Sequence, residues 1–140
     1  KRDLERDGYR AGHVSLGIMV ETPAAALTLD RFRGLIDFAS IGTNDLVQYT
    51  YAVDRTNARV KERAQPLGDA ILRLVERVGQ TDMPVAVCGQ LAGESEAIPL
   101  LVGLGVRRLS VAPARVPAVK RLLAGMTLAE TQAKAREALG

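Results

Sequence analysis

Apolar residues along this chain gather in four short runs: residues 14–21 (VSLGIMVE), 38–43 (FASIGT), 84–89 (PVAVCG) and 108–112 (RLSVA). Each is rich in Val, Ile or Leu, and the first three are nearly continuous. Strands covered on both faces read this way, as in parallel sheets. Segments with helical spacing alternate with the runs, which predicts an α/β fold with right-handed crossovers.

The helix signals are specific. Thr22 before Pro23 gives a hydroxyl cap and a proline in the first turn, predicting a helix over 24–32. Leu67, Ile71, Leu74, Val75 and Val78 recur at helical spacing and define one buried face. Gly103 and Gly105 close the next helix, and Pro117 opens another with Val119, Leu122 and Leu123 on its inner side. Thr127 and Glu130 form a capping-box pattern ahead of a last helix, Leu128–Leu139. Its apolar face is mostly alanine, which predicts weak docking or fraying.

Spacing between strand ends sets the architecture. Glu21 and Asp45 lie 24 residues apart, Asp45 and Cys88 43, and Cys88 and Ala112 24. The short steps fit one compact βα unit each. The long step holds an excess segment, residues 48–65, rich in Thr, Asn, Arg and Tyr. A long polar loop in a compact domain is usually functional. Four βα units make half of a closed (β/α)8 barrel, which needs about 250 residues. The expectation is therefore the C-terminal half of a TIM-type barrel, with residues 1–140 as one domain part and the first half absent. A small open sheet is the alternative.

Composition narrows the classes. With 47% hydrophobic and 25% charged residues the chain can bury a core, and no apolar run is long enough to span a bilayer. The basic segment 1–10 lacks the apolar stretch of a secretory signal, so a cytoplasmic protein is expected. A single cysteine, Cys88, forms no internal disulfide. The net charge of +3 comes from dispersed residues, and two Phe and three Tyr offer little stacking, which excludes a nucleic-acid reader.

In parallel α/β folds ligands bind at the carboxyl ends of strands. Glu21, Asn44, Asp45 and Cys88 fall there. Two carboxylates without nearby histidines suit Mg²⁺ or Mn²⁺ better than zinc. Equally, acidic residues at such positions can serve only as helix N-terminal caps. Cys88 reads either as an inert small hydrophobe or as a proton donor at the catalytic face. Arg55, in the long loop, can clamp a phosphate or carboxylate, or can simply be solvated. His13, the sole histidine, precedes the first strand at the non-catalytic end and is read as structural or exposed.

Residues 17–26 (GIMVETPAAA), 37–57 (DFASIGTNDLVQYTYAVDRTN) and 87–93 (VCGQLAG) resemble the C-terminal signature of enzyme I of the phosphoenolpyruvate:sugar phosphotransferase system and its fused multiphosphoryl-transfer relatives. The resemblance implies that Glu21 and Asp45 ligate Mg²⁺, that Asn44 and Asp45 contact phosphoenolpyruvate with the metal, and that Arg55 binds its phosphate. Cys88 would protonate the enolpyruvate methylene carbon. The phosphoryl group would pass to a phosphohistidine domain of the same protein, then to a phosphocarrier protein, feeding sugar uptake by a homodimeric enzyme. The chain alone would be inactive.

Two positions depart from the pattern: Gln90 stands where the family usually has Glu, and Glu94 where it usually has Asp. Pyruvate phosphate dikinase and phosphoenolpyruvate synthase share the metal pair and the cysteine. The string from Gln48 through Asn57 looks more like enzyme I. A Mg²⁺-dependent aldolase or lyase, and a non-catalytic dimerisation module, are the readings from other classes.

Overall fold

A computed structural model describes residues 2–10 and 12–140. Four parallel strands stand in sequence order: β1 (Gly17–Val20), β2 (Phe38–Gly42), β3 (Val85–Cys88) and β4 (Arg108–Leu109). Each strand pairs with the next, Val20 with Ile41, Ile41 with Val87, and Val87 with Leu109. The crossovers carry α2 (Pro23–Leu27), then α3 (Thr43–Thr50) and α4 (Asp69–Gly79), then α5 (Ala97–Gly103). A short α1 (Arg2–Arg6) precedes the sheet, and α6 (Val116–Ala124) and α7 (Leu128–Leu139) follow it. This is the α/β class expected from the alternating runs.

One face of the sheet is packed under the helices. Val20, Ala39, Ile41, Val85 and Val87 are buried under the helices. The alternate positions Met19, Ser40, Ala86 and Arg108 lie in one register row on the other face. Met19 is 46% exposed and Arg108 is exposed. Within this chain, then, the burial expected on both faces is complete on one and partial on the other, where Ser40, Ala86 and Cys88 are half-buried. The outer strands are also shorter than their runs. Val14 and Leu16 are exposed before β1, and β4 ends at Leu109. Both lie on sheet edges, where pairing is available from one side only.

Helix α4 is the main covering element. Ile71, Leu72, Leu74, Val75 and Val78 are all buried, and each such side chain contributes about 1.5–3 kcal/mol relative to exposure. Upstream, Thr22 caps α2 through its hydroxyl, which accepts from the Ala25 N–H at 3.1 Å. The helix expected to run to Phe32 stops at Leu27. The Thr28 hydroxyl donates to the Ala24 carbonyl at 2.8 Å, and the chain tightens into a 3₁₀ turn over Leu29–Phe32. Threonine bonded back onto its own helix competes with continuation in this way.

The last helix begins as its capping box dictates, with Thr127 and Glu130 bonded reciprocally. It is not weakly docked. Thr131 and Ala135 are buried, and α7 lies so close to α5 that a Cβ added at Gly103 would strike the Thr131 carbonyl. Small residues on both helices permit that approach, so an alanine face packs by proximity where bulk is lacking. Arg73 ties the far end by donating to the Leu139 carbonyl at 3.0 Å.

Candidate active site

Helix α3 starts directly where β2 ends, at Thr43. Asn44 and Asp45 therefore sit in the first turn of α3 and not on the strand itself, a correction to their expected place. The strand-to-helix passage at Gly42 has a steric reason. A Cβ at Gly42 would stand 2.6 Å from Glu21 Cγ and 2.8 Å from Oε1, so the Glu21 side chain lies across the bare glycine backbone. Gly42 is also the register partner of Cys88. One glycine thus brings Glu21 of the β1 end against β2 and beside the β3 end, three residues ahead of Asp45.

Neither carboxylate serves as a helix cap. Thr22 caps α2, and Gly42 precedes α3 without a side-chain cap. Asp45 instead faces the guanidinium of Arg55 at 3.8 Å. Arg55 arrives on the loop after α3, and its backbone N–H donates to Gln48 Oε1 at 3.4 Å. Next to it, Asp54 accepts from the Thr56 N–H at 2.8 Å and the Thr56 hydroxyl at 2.7 Å. The Thr56 side chain, then its backbone N–H, holds the Asp54 carboxyl below its ordinary range.

The turn after β3 packs onto α3. Gly89 adopts φ 91°, a left-handed backbone that glycine takes without strain. A Cβ there would meet Thr43 Oγ1 at 2.5 Å and Asn44 Oδ1 at 3.1 Å. Thr43, fully buried, donates to the Cys88 carbonyl at 2.9 Å, and Asn44 Oδ1 accepts from the Gln90 N–H at 3.1 Å. Asn44 thus spends its acceptor on the protein and keeps amide donors for a ligand. The half-buried Cys88 thiol lies 3.5 Å from the Ile41 carbonyl and 3.8 Å from the Ser40 hydroxyl.

Two hollows flank this turn. One of about 410 Å³ is lined by Asn44 and Arg55 with Val47, Leu67 and Leu91. The other, about 470 Å³, is lined by Cys88, Ser110 and Arg115. Gln90 and Glu94 line both. Glu21 and Asp45 line neither of these hollows. Arg115, Ser110 and Ser40 were missed by sequence reasoning. Ser40 carried a usable signal, since it precedes Gly42 by two on a strand and so shares the face of Cys88. Exposed His13 stands before β1 and enters none of this.

Among the described residues no group of three or more His, Cys, Asp or Glu is placed to hold a metal. What the chain offers is a pair of hard oxygen donors, with Glu21 seated on a glycine that leaves it room. That donor set fits a cation completed by water and substrate oxygens.

The fold is a parallel βα array that carries acidic, thiol and guanidinium side chains at its carboxyl edge. The chain belongs to the family described as PEP-utilising enzyme, PEP-binding domain, whose model matches residues 1–128. It is 43% identical over 141 residues to multiphosphoryl transfer protein 1 of Escherichia coli strain K12, covering 97% of this chain and 17% of that protein. It is 40% identical over 144 residues to phosphoenolpyruvate-protein phosphotransferase of Staphylococcus epidermidis, covering 99% and 25%. Against the Listeria monocytogenes protein of that name it is 42% identical over 130 residues, covering 90% and 23%. The chain thus spans a quarter or less of these curated relatives. Among the described residues no helix is long and apolar enough to cross a membrane.

Proposed function

We propose that this chain is the metal- and substrate-binding C-terminal half of the barrel of a phosphoenolpyruvate-protein phosphotransferase. The observation that carries this is the convergence on Gly42: Glu21 lies over it, Cys88 pairs with it, and Asp45 follows on the helix it releases. The names of the relatives agree with the reading. Glu21 and Asp45 would hold Mg²⁺, with Mn²⁺ as a substitute, and the cation would neutralise charge on the substrate oxygens.

The chain's own groups then have separable tasks. Arg55 presents a planar fork to the phosphate, and Asn44 offers amide donors beside it. The phosphoryl group leaves toward a histidine of another domain of the same protein, and from there to a phosphocarrier serving sugar uptake in the cytoplasm. Pyruvate enolate remains. The Cys88 S–H bond breaks, a C–H bond forms at C3, and the electron pair stays on sulfur as thiolate. Phosphoryl transfer of this kind rests on positioning and charge neutralisation, which is what the residues supply.

The test uses the full-length protein with phosphoenolpyruvate and Mg²⁺. Expected products are acid-labile phosphohistidine and pyruvate, and Glu21→Gln and Asp45→Asn each abolish Mn²⁺ binding measured by electron paramagnetic resonance. Two carboxylate variants that bind Mn²⁺ like the parent protein would remove the metal pair. The chain by itself is expected to turn nothing over.

A second reading, an assembly module, draws on the unpaired edge at β1 with exposed Val14, Leu16 and Met19. Hydrophobic open edges favour self-association. Sedimentation of the chain tests it, and a monomer at high concentration would count against it.

A further inference from the structure

Arg55 is exposed and sits on a long connection, yet it reaches Asp45. Free chain would not hold it there. After α3 the backbone reverses at Ala52, a non-glycine residue at φ 49°. Val53 then plugs into the core at 6% exposure, and its N–H donates to the Gln48 carbonyl at 3.0 Å. Two residues on, the Arg55 N–H donates to the Gln48 side-chain oxygen at 3.4 Å. One half-buried residue of α3 therefore accepts twice from the strap that carries Arg55, once through its main chain and once through its amide. It stands three residues after Asp45 on the same helix.

We propose that Gln48 is a positioning residue for substrate binding. Its amide oxygen fixes where the strap returns past α3, and so fixes the guanidinium of Arg55 over the first turn of that helix. The inference rests on the reading above in which Arg55 binds the phosphate. Gln48 itself touches no substrate. The backbone bond to its carbonyl survives any substitution, so the side-chain bond can be tested separately.

The experiment uses full-length Gln48→Leu, which keeps bulk and removes the acceptor, beside Gln48→Glu, which keeps an acceptor. The expected result for Gln48→Leu is a KM for phosphoenolpyruvate raised about 10-fold, with kcat changed far less, since small misplacements of an anchoring group weaken binding on that scale. Tryptic cleavage after Arg55 should become faster, and Mn²⁺ affinity should stay as in the parent. Gln48→Glu should return KM to within about threefold. An unchanged KM in Gln48→Leu overturns the inference. So does a parallel loss of Mn²⁺ affinity, which would mean damage to α3, or a Gln48→Glu variant as impaired as Gln48→Leu. Arg55→Ala is the control: full substrate affinity there would sink the phosphate reading itself, whatever Gln48 does.

Discussion

Arg55 and Asp45 face each other at 3.8 Å, a loop cation against a first-turn carboxylate, with their side chains 58% and 36% exposed. In so open a pair the mutual attraction contributes below about 1 kcal/mol to stability. Its significance is positional. Asp45 is one half of the proposed cation site, and Arg55 supplies a positive charge at the same place.

Replacing Arg55 by Ala should therefore leave thermal stability within about 1 kcal/mol of the parent. Mn²⁺ binding without substrate should be unchanged or tighter, because Asp45 loses a competing counter-charge. The kcat/KM for phosphoenolpyruvate should fall by about 100-fold or more, since the planar phosphate clamp is lost. Titration of Mn²⁺ and steady-state kinetics on the full-length protein check the two halves.

Cys88→Ala should separate the two chemical events. Phosphorylation of the acceptor histidine should persist, while ketonisation slows by roughly 100-fold or more, the scale of a lost general acid. Rapid-quench measurement of phosphohistidine against pyruvate formation decides it. Unimpaired pyruvate formation would leave Cys88 as a packing residue.

Gly89→Ala should impair fold and site together. The left-handed φ of 91° and the Thr43 hydroxyl 2.5 Å from the new methyl both oppose it. Backbone strain of this kind costs about 1–3 kcal/mol. Moving Gln90 would also loosen its bond to Asn44. A lowered melting temperature and a raised KM are expected in the same variant.

Gly103→Ala tests the docking of the last helix. The new methyl would strike the Thr131 carbonyl, and overpacking costs about 1–3 kcal/mol. Amide hydrogen exchange should show α7 losing protection first. An unchanged exchange pattern would mean that α5 and α7 can part without loss.

The capping box gives a pH dependence with a definite sign. The Thr127 backbone N–H, at 2.7 Å, then its hydroxyl, hold the Glu130 carboxyl below its ordinary range. A depressed folded-state value means that this stabilisation is present above the unfolded value and is lost as pH falls through the folded one. Glu130→Gln should lower the melting temperature in the neutral region, where the carboxylate contributes, and converge with the parent at acid pH, so that its acid limb is flatter.

The elements were legible because their signals are local. Thr22 and Thr127 capped the helices they were expected to cap, and the apolar runs marked all four strands. What could not be read was which face each strand buries. Met19 and Val20 are equally apolar in sequence, and only the placement of helices exposes one and buries the other. The docking of α7 was invisible for a related reason. Alanine carries little transfer free energy, and close approach depends on Gly103 of another helix. Glu21, Asn44, Asp45 and Cys88 were found by position near strand ends, and Arg55 by its long polar loop. The glycine seat under Glu21, the Gln48 bond and Arg115 required coordinates, because each is a meeting of segments far apart or a bond from a side chain with many conformations.

The junction between β2 and α3 has no slack. Gly42 is the last residue of one and Thr43 the first of the other. An α-helix turns about 100° per residue, so one residue gained or lost between Ile41 and Asp45 would swing the aspartate a quarter-turn or more from its present direction. Length variation should therefore be forbidden over those few positions, while the largely exposed turns over residues 58–63 can grow or shrink at less cost.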